Sequence, residues 1–463
     1  MKSSASCFPQ ERSPADMQQI IGIFRALYLR DRLFMLLAAA SLLHVTAFFM
    51  PWLGILPSVF TGAAALLAIV DAWLVFSLGN GIDATRRTPE RFSNGDDNPV
   101  ELDIVSRYPF PVTLELVDEL PEQFQRRDFL MHARLEARGE TRLRYTLRPV
   151  KRGIYTFGAL NVFVRSPLGL VERRYRCSQG RSVPVYPSFL QMRRYQLMAI
   201  NDRLSQVGIK RVRKLGHSME FEQVRDYVKG DDIRTINWKA TARRGQMMVN
   251  GYTEERSQQV YCLIDKGRTM RMPFDGMSLL DHAINASVVL SNVALVKQDK
   301  AGILTFSEDI GQFLPASSRI AQMGAILEVL HHQKTRFLES DYERLYTFVR
   351  KRISQRSLIM LFTNFESLGG LRRQLPYLRR IAVDHLLMVV FFENPMLKER
   401  VEAPAQTVEE VYHRTIAARF DQEKRQIVRE LRLHGIGSIL TPPSELTVQA
   451  VNSYLEIKAR QAI

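Results

Sequence analysis

Two apolar runs near the start of the chain constrain its fold more than any other feature. The first covers residues 33–50 and the second residues 58–78, and a short uncharged turn from Pro51 to Pro57 joins them. A helix needs about 20 apolar residues to cross a bilayer, and each run comes close to that length. Because the turn is so short, the sequence predicts an antiparallel pair of transmembrane helices over residues 33–78. A buried hairpin in a soluble protein is the alternative.

Arginines flank both ends of this pair, and the turn between the runs carries neither lysine nor arginine. Basic residues concentrate on the cytoplasmic side of membrane proteins, so both ends are predicted to lie there. We therefore expect a multi-pass protein of the bacterial inner membrane whose soluble domains are cytoplasmic, with residues 1–32 as a cytoplasmic N-terminal segment. The flanking arginines are Arg25, Arg30, Arg32, Arg86, Arg87 and Arg91.

Two polar residues, His44 and Asp71, interrupt the apolar runs. A carboxylate that faces lipid is costly, so Asp71 should find a polar partner. We expect that partner on the neighbouring helix, and a proton or ion site is the alternative.

Residues 98–190 form a β-rich module, because apolar and polar residues alternate there with a period of two. Glycine and proline punctuate the runs, as in RGIYTFG at residues 152–158 and SPLGL at residues 166–170. Short strands at regular spacing indicate a small β-sandwich of immunoglobulin-like type. No catalytic cluster occurs in this module, so we expect a structural or docking role.

Residues 256–463 alternate short, continuously apolar strands with amphipathic helices, which predicts an α/β doubly wound sheet. Ligands of such sheets bind at the carboxyl ends of the strands. Asp265 ends the first strand, and Thr363 and Asn364 end a later one. These side chains are therefore predicted to face one crevice.

Residues 191–255 form a charged linking motif, in which both signs of charge surround a few large apolar residues. We expect Trp238 to be buried in the junction between the β module and the sheet, within a network of Arg225, Asp231, Asp232 and Arg243. Such a network is costly unless all its members are paired. A docking surface for a partner is the alternative, because tryptophan and arginine are also enriched in binding hot spots.

The crevice has part of the pattern of a metal-binding von Willebrand factor A domain, Asp-x-Ser-x-Ser. Such a site holds a hard cation through one carboxylate and several hydroxyls. Asp265 and Thr269 fit the pattern, but Gly267 replaces the middle hydroxyl and Asn364 stands where a later acid is expected. Thr335 is a candidate loop threonine. We expect no bound cofactor, with Asp265 capping the following turn, and Mg²⁺ is the alternative.

Few sequence features point to a hydrolase, a nucleic-acid-binding protein or a zinc protein. No nucleophile elbow, HExxH or phosphate-binding loop motif occurs, so we expect no enzymatic activity, and a hydrolase that uses Asp231 and Asp232 is the alternative. The net charge of +16 favours an anionic neighbour such as lipid, nucleic acid or an acidic protein. The basic clusters recur on helix faces, so nucleic acid is not expected. Three distant cysteines support neither a disulfide framework nor a zinc site.

The charged motif, FEQVRDYVKGDDIRTINWKATARRGQMMV, resembles the central motif of the domain-of-unknown-function family number fifty-eight. The RGIYTFG and SPLGL segments and the N-terminal hairpin also resemble that family. The family is similar to von Willebrand factor A proteins in its C-terminal half. The positions that match its motif are Glu220, Phe221, Arg225, Tyr227, Gly230, Asp231, Asp232, Arg234, Ile236, Asn237, Trp238, Ala242 and Arg243.

This resemblance implies a partner protein and no enzymatic activity. Members commonly accompany a MoxR-type AAA+ ATPase in chaperone-like or maturation systems. We therefore expect a membrane-anchored adaptor or scaffold: a transmembrane helical hairpin, a β-sandwich, and a von Willebrand factor A-like α/β doubly wound domain. Its hairpin would contact membrane lipid, and in the alternative to a buried junction its motif would be the surface that binds the ATPase. The alternatives are a metal-dependent protein-binding domain at Asp265 and an unrecognised hydrolase.

Overall fold

A computed structural model describes residues 25–126, 129–178, 180–200, 220–228, 231, 233–253, 257–402, 404 and 407–460. The chain forms two compact units, each described below by itself. Unit 1 comprises Met1–Phe92, Asp97–Pro149 and Ile154–Pro184, and unit 2 comprises Ser93–Asp96, Val150–Gly153 and Val185–Ile463.

Unit 1 begins with two long apolar helices, α1 (Asp31–Phe49) and α2 (Leu56–Phe76), which pack against each other. Pro57 lies in the first turn of α2, where a missing N–H costs no helical hydrogen bond. Both helices are long and apolar enough to cross a membrane, and only 11% and 17% of their apolar windows are buried in the protein. A third apolar helix, Leu279–Val296, is 83% buried in unit 2 and is a core helix.

The rest of unit 1 includes two antiparallel sheets that share one apolar core. Alternate residues of each strand face this core, as in the alternating burial of Asn98–Ser106 and Val112–Asp118. The strands up to Tyr186 are β1 (Leu27–Leu29), β2 (Ile82–Arg87), β3 (Phe92–Ser93), β4 (Asn98–Ser106), β5 (Val112–Asp118), β6 (Leu130–Leu135), β7 (Glu140–Leu147), β8 (Gly153–Thr156), β9 (Leu160–Arg165), β10 (Val171–Cys177) and β11 (Ser182–Tyr186). One sheet has the order β1-β10-β9-β5-β6, and the other has the order β2-β4-β7.

The SPLGL segment of unit 1 holds the carboxylate of Asp71, which lies on α2 and is fully buried. One carboxylate oxygen accepts from the backbone N–H of Leu170 at 2.7 Å and of Val171 at 2.9 Å, and the other accepts from the Ser166 hydroxyl. The expectation that Asp71 contacts the neighbouring helix is therefore wrong. The SPLGL segment and the first residue of β10 supply its partners instead.

Unit 2 contains a mixed sheet of six strands, in the order β18-β17-β14-β19-β20-β21. Only the edge strand β18 runs antiparallel to its neighbour. The strands of unit 2 are β12 (Glu220–Asp226), β13 (Met248–Thr253), β14 (Gln259–Asp265), β15 (Pro273–Phe274), β16 (Met277–Ser278), β17 (Lys300–Phe306), β18 (Ile310–Ser317), β19 (Leu358–Phe362), β20 (Leu386–Phe392) and β21 (Gly437–Thr441).

Helices cover both faces of this sheet, and the central strands β14, β17 and β19 are almost entirely buried. The helix α5 begins with a capping box, in which the side chains of Ser278 and Asp281 each accept from the other residue's backbone N–H. The helices of unit 2 are α3 (Phe189–Ile200), α4 (Trp238–Arg244), α5 (Leu279–Val296), α6 (Gln322–His331), α7 (Tyr342–Arg352), α8 (Leu368–Asp384), α9 (Pro395–Glu402), α10 (Val408–Leu433) and α11 (Leu446–Ala459). This arrangement brings the carboxyl ends of β14 and β19 side by side.

Candidate functional site

Asp265, at the carboxyl end of β14, is only 2% exposed and accepts four hydrogen bonds. Its Oδ1 accepts from the backbone N–H of Gly267 at 2.7 Å and from the hydroxyl of Ser340. Its Oδ2 accepts from the hydroxyls of Thr363 at 2.7 Å and Tyr342 at 3.3 Å. Both carboxylate oxygens are therefore fully used inside the protein, and the Gly267 contact caps the turn that follows β14.

Burial raises the pKa of the Asp265 carboxyl above its ordinary value, and its hydrogen bonds oppose this shift only in part. The donors are a backbone amide and neutral hydroxyls, and none of them is a cation. A buried carboxylate with these donors behaves as a hub that joins three segments of chain, those around Gly267, Ser340 and Thr363.

A lysine occupies the other side of this crevice. The Lys424 ammonium, from α10, donates to the Asn364 side-chain oxygen at 2.7 Å and to the Phe365 carbonyl at 2.6 Å. Asn364 in turn donates to the Thr269 carbonyl at 3.4 Å. Burial lowers the pKa of Lys424 to about 8. The chain itself thus places a positive charge against the Asn364 and Phe365 side of the crevice.

These residues do not fit a divalent cation. A metal site of this kind needs free carboxylate and hydroxyl oxygens, whereas the oxygens of Asp265 are already saturated. The Lys424 ammonium also binds the Asn364 oxygen and would repel a second cation. No cluster of three acidic, histidine or cysteine ligands occurs in the part of the chain that the structure describes.

The structure brings together most of the residues predicted for this crevice. Asp265, Thr269 and Asn364 line one cavity of about 130 Å³, which is smaller than a typical ligand pocket of at least about 300 Å³. Ser340 was not predicted from the sequence, and it supplies a hydroxyl to Asp265 in place of the predicted Thr335. The turn at residues 337–340 carries no sequence pattern that identifies Ser340 as the donor.

The charged motif folds as the antiparallel hairpin β12–β13 with the short helix α4 between its strands. Arg225 and Asp231 form a two-pronged ion pair, with contacts of 2.6 and 2.9 Å. Asp231 also accepts from the backbone N–H of Val228 at 2.9 Å. Asn237 caps α4 by accepting from the Ala240 backbone N–H at 3.0 Å. The polar residues of the motif therefore stabilise its own loop and helix.

The large apolar residues of the motif point outward. Trp238 is 66% exposed, Ile233 70%, Val228 61% and Met247 47%. Backbone hydrogen bonds bring the segments that carry these residues together near Met247. The Met247 carbonyl accepts from the backbone N–H of Tyr227, and the Met248 carbonyl accepts from the backbone N–H of Asn237. The expectation that Trp238 is buried is therefore wrong.

Basic side chains share the short helix of Trp238. Lys239, Arg243 and Arg244 are exposed on α4, which begins at Trp238. We call these three residues, together with Val228, Ile233, Trp238 and Met247, the Trp238 surface. Tyr227 is half-buried beside it.

Several predicted motif residues cannot be placed in this way. Gly230 and Asp232 lie outside the described residues, and the side chains of Glu220, Phe221 and Arg234 lie outside them as well.

Comparison with known proteins supports the resemblance on the motif. Residues 223–399 match the family model described as "Protein of unknown function DUF58". The "Uncharacterized protein YeaD" of Bacillus subtilis (strain 168) is 29% identical over 180 residues. That match covers 37% of this chain and 44% of the relative, so the chain spans less than half the length of the relative that it matches.

Solved structures resemble parts of the chain only weakly. BatB from Bacteroides thetaiotaomicron is 13% identical and has a TM-score of 0.31, with 44% of this chain and 100% of that chain covered. The CARDB domain of PF1109 from Pyrococcus furiosus is 13% identical and has a TM-score of 0.16, with 23% of this chain and 94% of that chain covered. Similarities this low carry no argument about function. Residues 223–399 thus match the model of the same family of proteins of unknown function, DUF58, that the charged motif resembles.

Proposed function

We propose that this protein is a membrane-anchored adaptor that binds an acidic partner protein through the Trp238 surface. The observation that carries the proposal is the exposure of Trp238 and its apolar neighbours together with three exposed basic side chains on the same short helix. We infer that the chain acts by binding and has no catalytic activity of its own.

The two helices of unit 1 support the membrane anchor. Helix α2 has 21 residues and spans about 31 Å, close to the thickness of about 30 Å of a bilayer's hydrocarbon core. Trp52 is 78% exposed in the turn before α2, and Trp73 is 68% exposed near its other end. Tryptophan is enriched at both membrane interfaces, so this pair fits a helix that spans the bilayer.

The composition of the Trp238 surface supports protein binding. Tryptophan, methionine and arginine are enriched in protein interfaces and in their hot spots. The basic side chains of Lys239, Arg243 and Arg244 favour a partner with acidic groups around an apolar pocket for Trp238. The Arg225–Asp231 pair and the cap on α4 hold this surface in shape before a partner arrives, which lowers the entropy cost of binding.

The resemblance to the family suggests the class of partner, a MoxR-type AAA+ ATPase. The adaptor would recruit that ATPase to the membrane or present a client to it in a chaperone-like or maturation system. We further propose that unit 2 is a von Willebrand factor A-like domain. The supporting feature is the strand order, with the first strand of the sheet, β14, in the middle and the third, β18, antiparallel at one edge.

The test is affinity purification of the full chain from detergent-solubilised membranes, in wild type and in Trp238→Ala. Tyr412→Ala is a matched control, because Tyr412 is also an aromatic residue of unit 2 and is 65% exposed. We expect an AAA+ ATPase to co-purify with wild type and with the control, and to be lost from Trp238→Ala. Equal recovery from all three variants would contradict the assigned surface, and failure of any ATPase to bind folded wild type would contradict the adaptor role.

A second part of this experiment tests whether partner binding needs a metal ion. Purification in the presence of EDTA should leave the ATPase bound, because the crevice at Asp265 does not fit a divalent cation. Loss of the partner with EDTA alone would instead favour a metal-dependent binding domain.

A further inference from the structure

A cavity in unit 1 lies at the foot of helix α1 and is rich in arginine. Its volume is about 540 Å³, and its walls combine the first residues of α1 with the β5, β6 and β9 strands and the SPLGL segment. The charged and apolar side chains that matter for its chemistry are Arg30, Asp31, Arg32, Met35, Arg134 and Arg165.

Two of the four arginines are neutralised inside the protein. Arg165 forms ion pairs with both Glu115 and Glu172. Arg30 approaches the same two carboxylates, at 3.8 and 3.5 Å. Two cations and two anions therefore cancel on this wall of the cavity and hold it rigid.

The other two arginines remain available for a ligand. Arg32 donates to the Leu168 carbonyl at 3.4 Å, and Arg134 is exposed on β6. Among the described residues, neither guanidinium pairs with a carboxylate, and Asp31 pairs with no cation. The cavity thus has one excess positive charge, which matches a ligand with one negative charge. Guanidinium groups bind phosphate oxygens well because they present paired N–H donors.

The position of Asp71 on α2 indicates how close to the bilayer this cavity lies. The carboxylate of Asp71 binds the SPLGL segment, so α2 is engaged by the β-sandwich from Asp71 onward. The part of α2 before it, Leu56–Val70, spans only about 22 Å, which is less than the hydrocarbon core of about 30 Å. The SPLGL segment and the cavity beside it must therefore reach the headgroup layer of a bilayer that the helices cross.

We propose that this cavity binds the phosphate of an anionic glycerophospholipid, with Arg32 and Arg134 as its donors and Met35 beside the lipid's glycerol and upper acyl chain. The proposal rests on the membrane anchoring proposed above. The single excess charge favours a headgroup without a cation of its own, such as phosphatidylglycerol, over phosphatidylcholine.

The test is native mass spectrometry of the full chain, purified in detergent and mixed with phosphatidylglycerol or phosphatidylcholine. We expect wild type to retain one phosphatidylglycerol, and Arg32→Gln combined with Arg134→Gln to lower its affinity at least tenfold. Arg142→Gln combined with Arg144→Gln is the control, because it removes the same charge from exposed residues of β7 outside the cavity. If the double variant does not fold, Arg134→Gln alone should still weaken binding severalfold, since that side chain is exposed.

Three outcomes overturn the proposal in distinguishable ways. Equal lipid retention by both double variants would show that the cavity is not the site. Binding of inorganic phosphate or glycerol 3-phosphate as tight as that of the lipid, and lost in the same variants, would assign the cavity to a soluble phosphate compound. Release of wild type from membranes by alkaline carbonate would refute the anchoring itself, whereas retention with no loss of lipid in the variants refutes only the lipid site.

Discussion

The Asp265 crevice and the Trp238 surface, both in unit 2, use polar groups in opposite ways. Each oxygen of Asp265 accepts two hydrogen bonds from its own chain, and the lysine beside it is likewise bound to internal acceptors. Around Trp238 the hydrogen bonds that the structure describes join the loop, the helix α4 and the strands of the same hairpin, and the apolar side chains are exposed. A group whose bonding capacity is exhausted internally stabilises a fold, whereas one left exposed on a fixed scaffold is available to a partner.

The largest effect should follow loss of the Asp265 carboxylate. Asp265→Ala leaves four donors without their acceptor, and a buried unpaired donor costs about 1–3 kcal/mol. We expect β14 and β19 to lose at least about 3 kcal/mol of opening free energy, because Tyr342 and Thr363 can still bond to each other. Hydrogen exchange of the full chain in detergent measures this, with Asp309→Ala, a change at an exposed acid, as the control. Unchanged exchange would show that Asp265 is no structural hub.

The buried carboxylate of unit 1 should behave in the same way with a smaller effect. Asp71→Ala removes the acceptor of three donors, two of which are the amides of Leu170 and Val171. We expect the opening free energy of the SPLGL segment to fall by about 2 kcal/mol. Exchange at these two amides reports it directly, and Asp71→Asn should retain part of the protection. Loss of membrane insertion without faster exchange would mean that Asp71 acts in the membrane and not on the loop.

The sequence predicted the architecture of both units better than the roles of their polar residues. The two apolar runs, the alternating strands and the continuously apolar strands follow local periodicity, so each appears as a helix or strand in the structure. Neighbouring parallel strands end at the same edge of a sheet. The sequence therefore also predicted that Asp265, at the end of β14, lies near Thr363, after β19.

The partners of those residues depend on distant segments, which periodicity does not reveal. Ser340 reaches Asp265 from 75 residues away, and the amide of Leu170 reaches Asp71 from 99 residues away. Lys424 lies on an amphipathic helix with many charged residues. The sequence pattern of the helix does not distinguish Lys424 from the exposed ones. The exposure of Trp238 was mispredicted for a related reason. Its burial depends on whether another element covers α4, and nothing in the local sequence states that.

Lys424 offers a pH-dependent test of the crevice. Its folded pKa of about 8 lies below the usual lysine value near 10.4, so the folded state disfavours the charged form. The unfolded chain therefore holds more protons between these two values, and stability rises with pH across that window. Relative to Lys424→Met, which has no titrating group, wild type should gain about 2 kcal/mol between pH 7 and pH 10. A constant difference between the two proteins would show that the ammonium is well solvated.

The smallest change in stability should follow loss of the Trp238 side chain. This small change would distinguish the Trp238 surface from the Asp265 crevice. Because the side chain is 66% exposed, Trp238→Ala should change the free energy of unfolding by no more than about 0.5 kcal/mol. The same variant should lose its protein partner, since a tryptophan in a hot spot contributes about 2 kcal/mol or more to binding. Hydrogen exchange of β12 and β13 measures the first quantity, and the co-purification experiment measures the second. A large loss of stability together with unchanged partner binding would reverse the assignment and place Trp238 in the core.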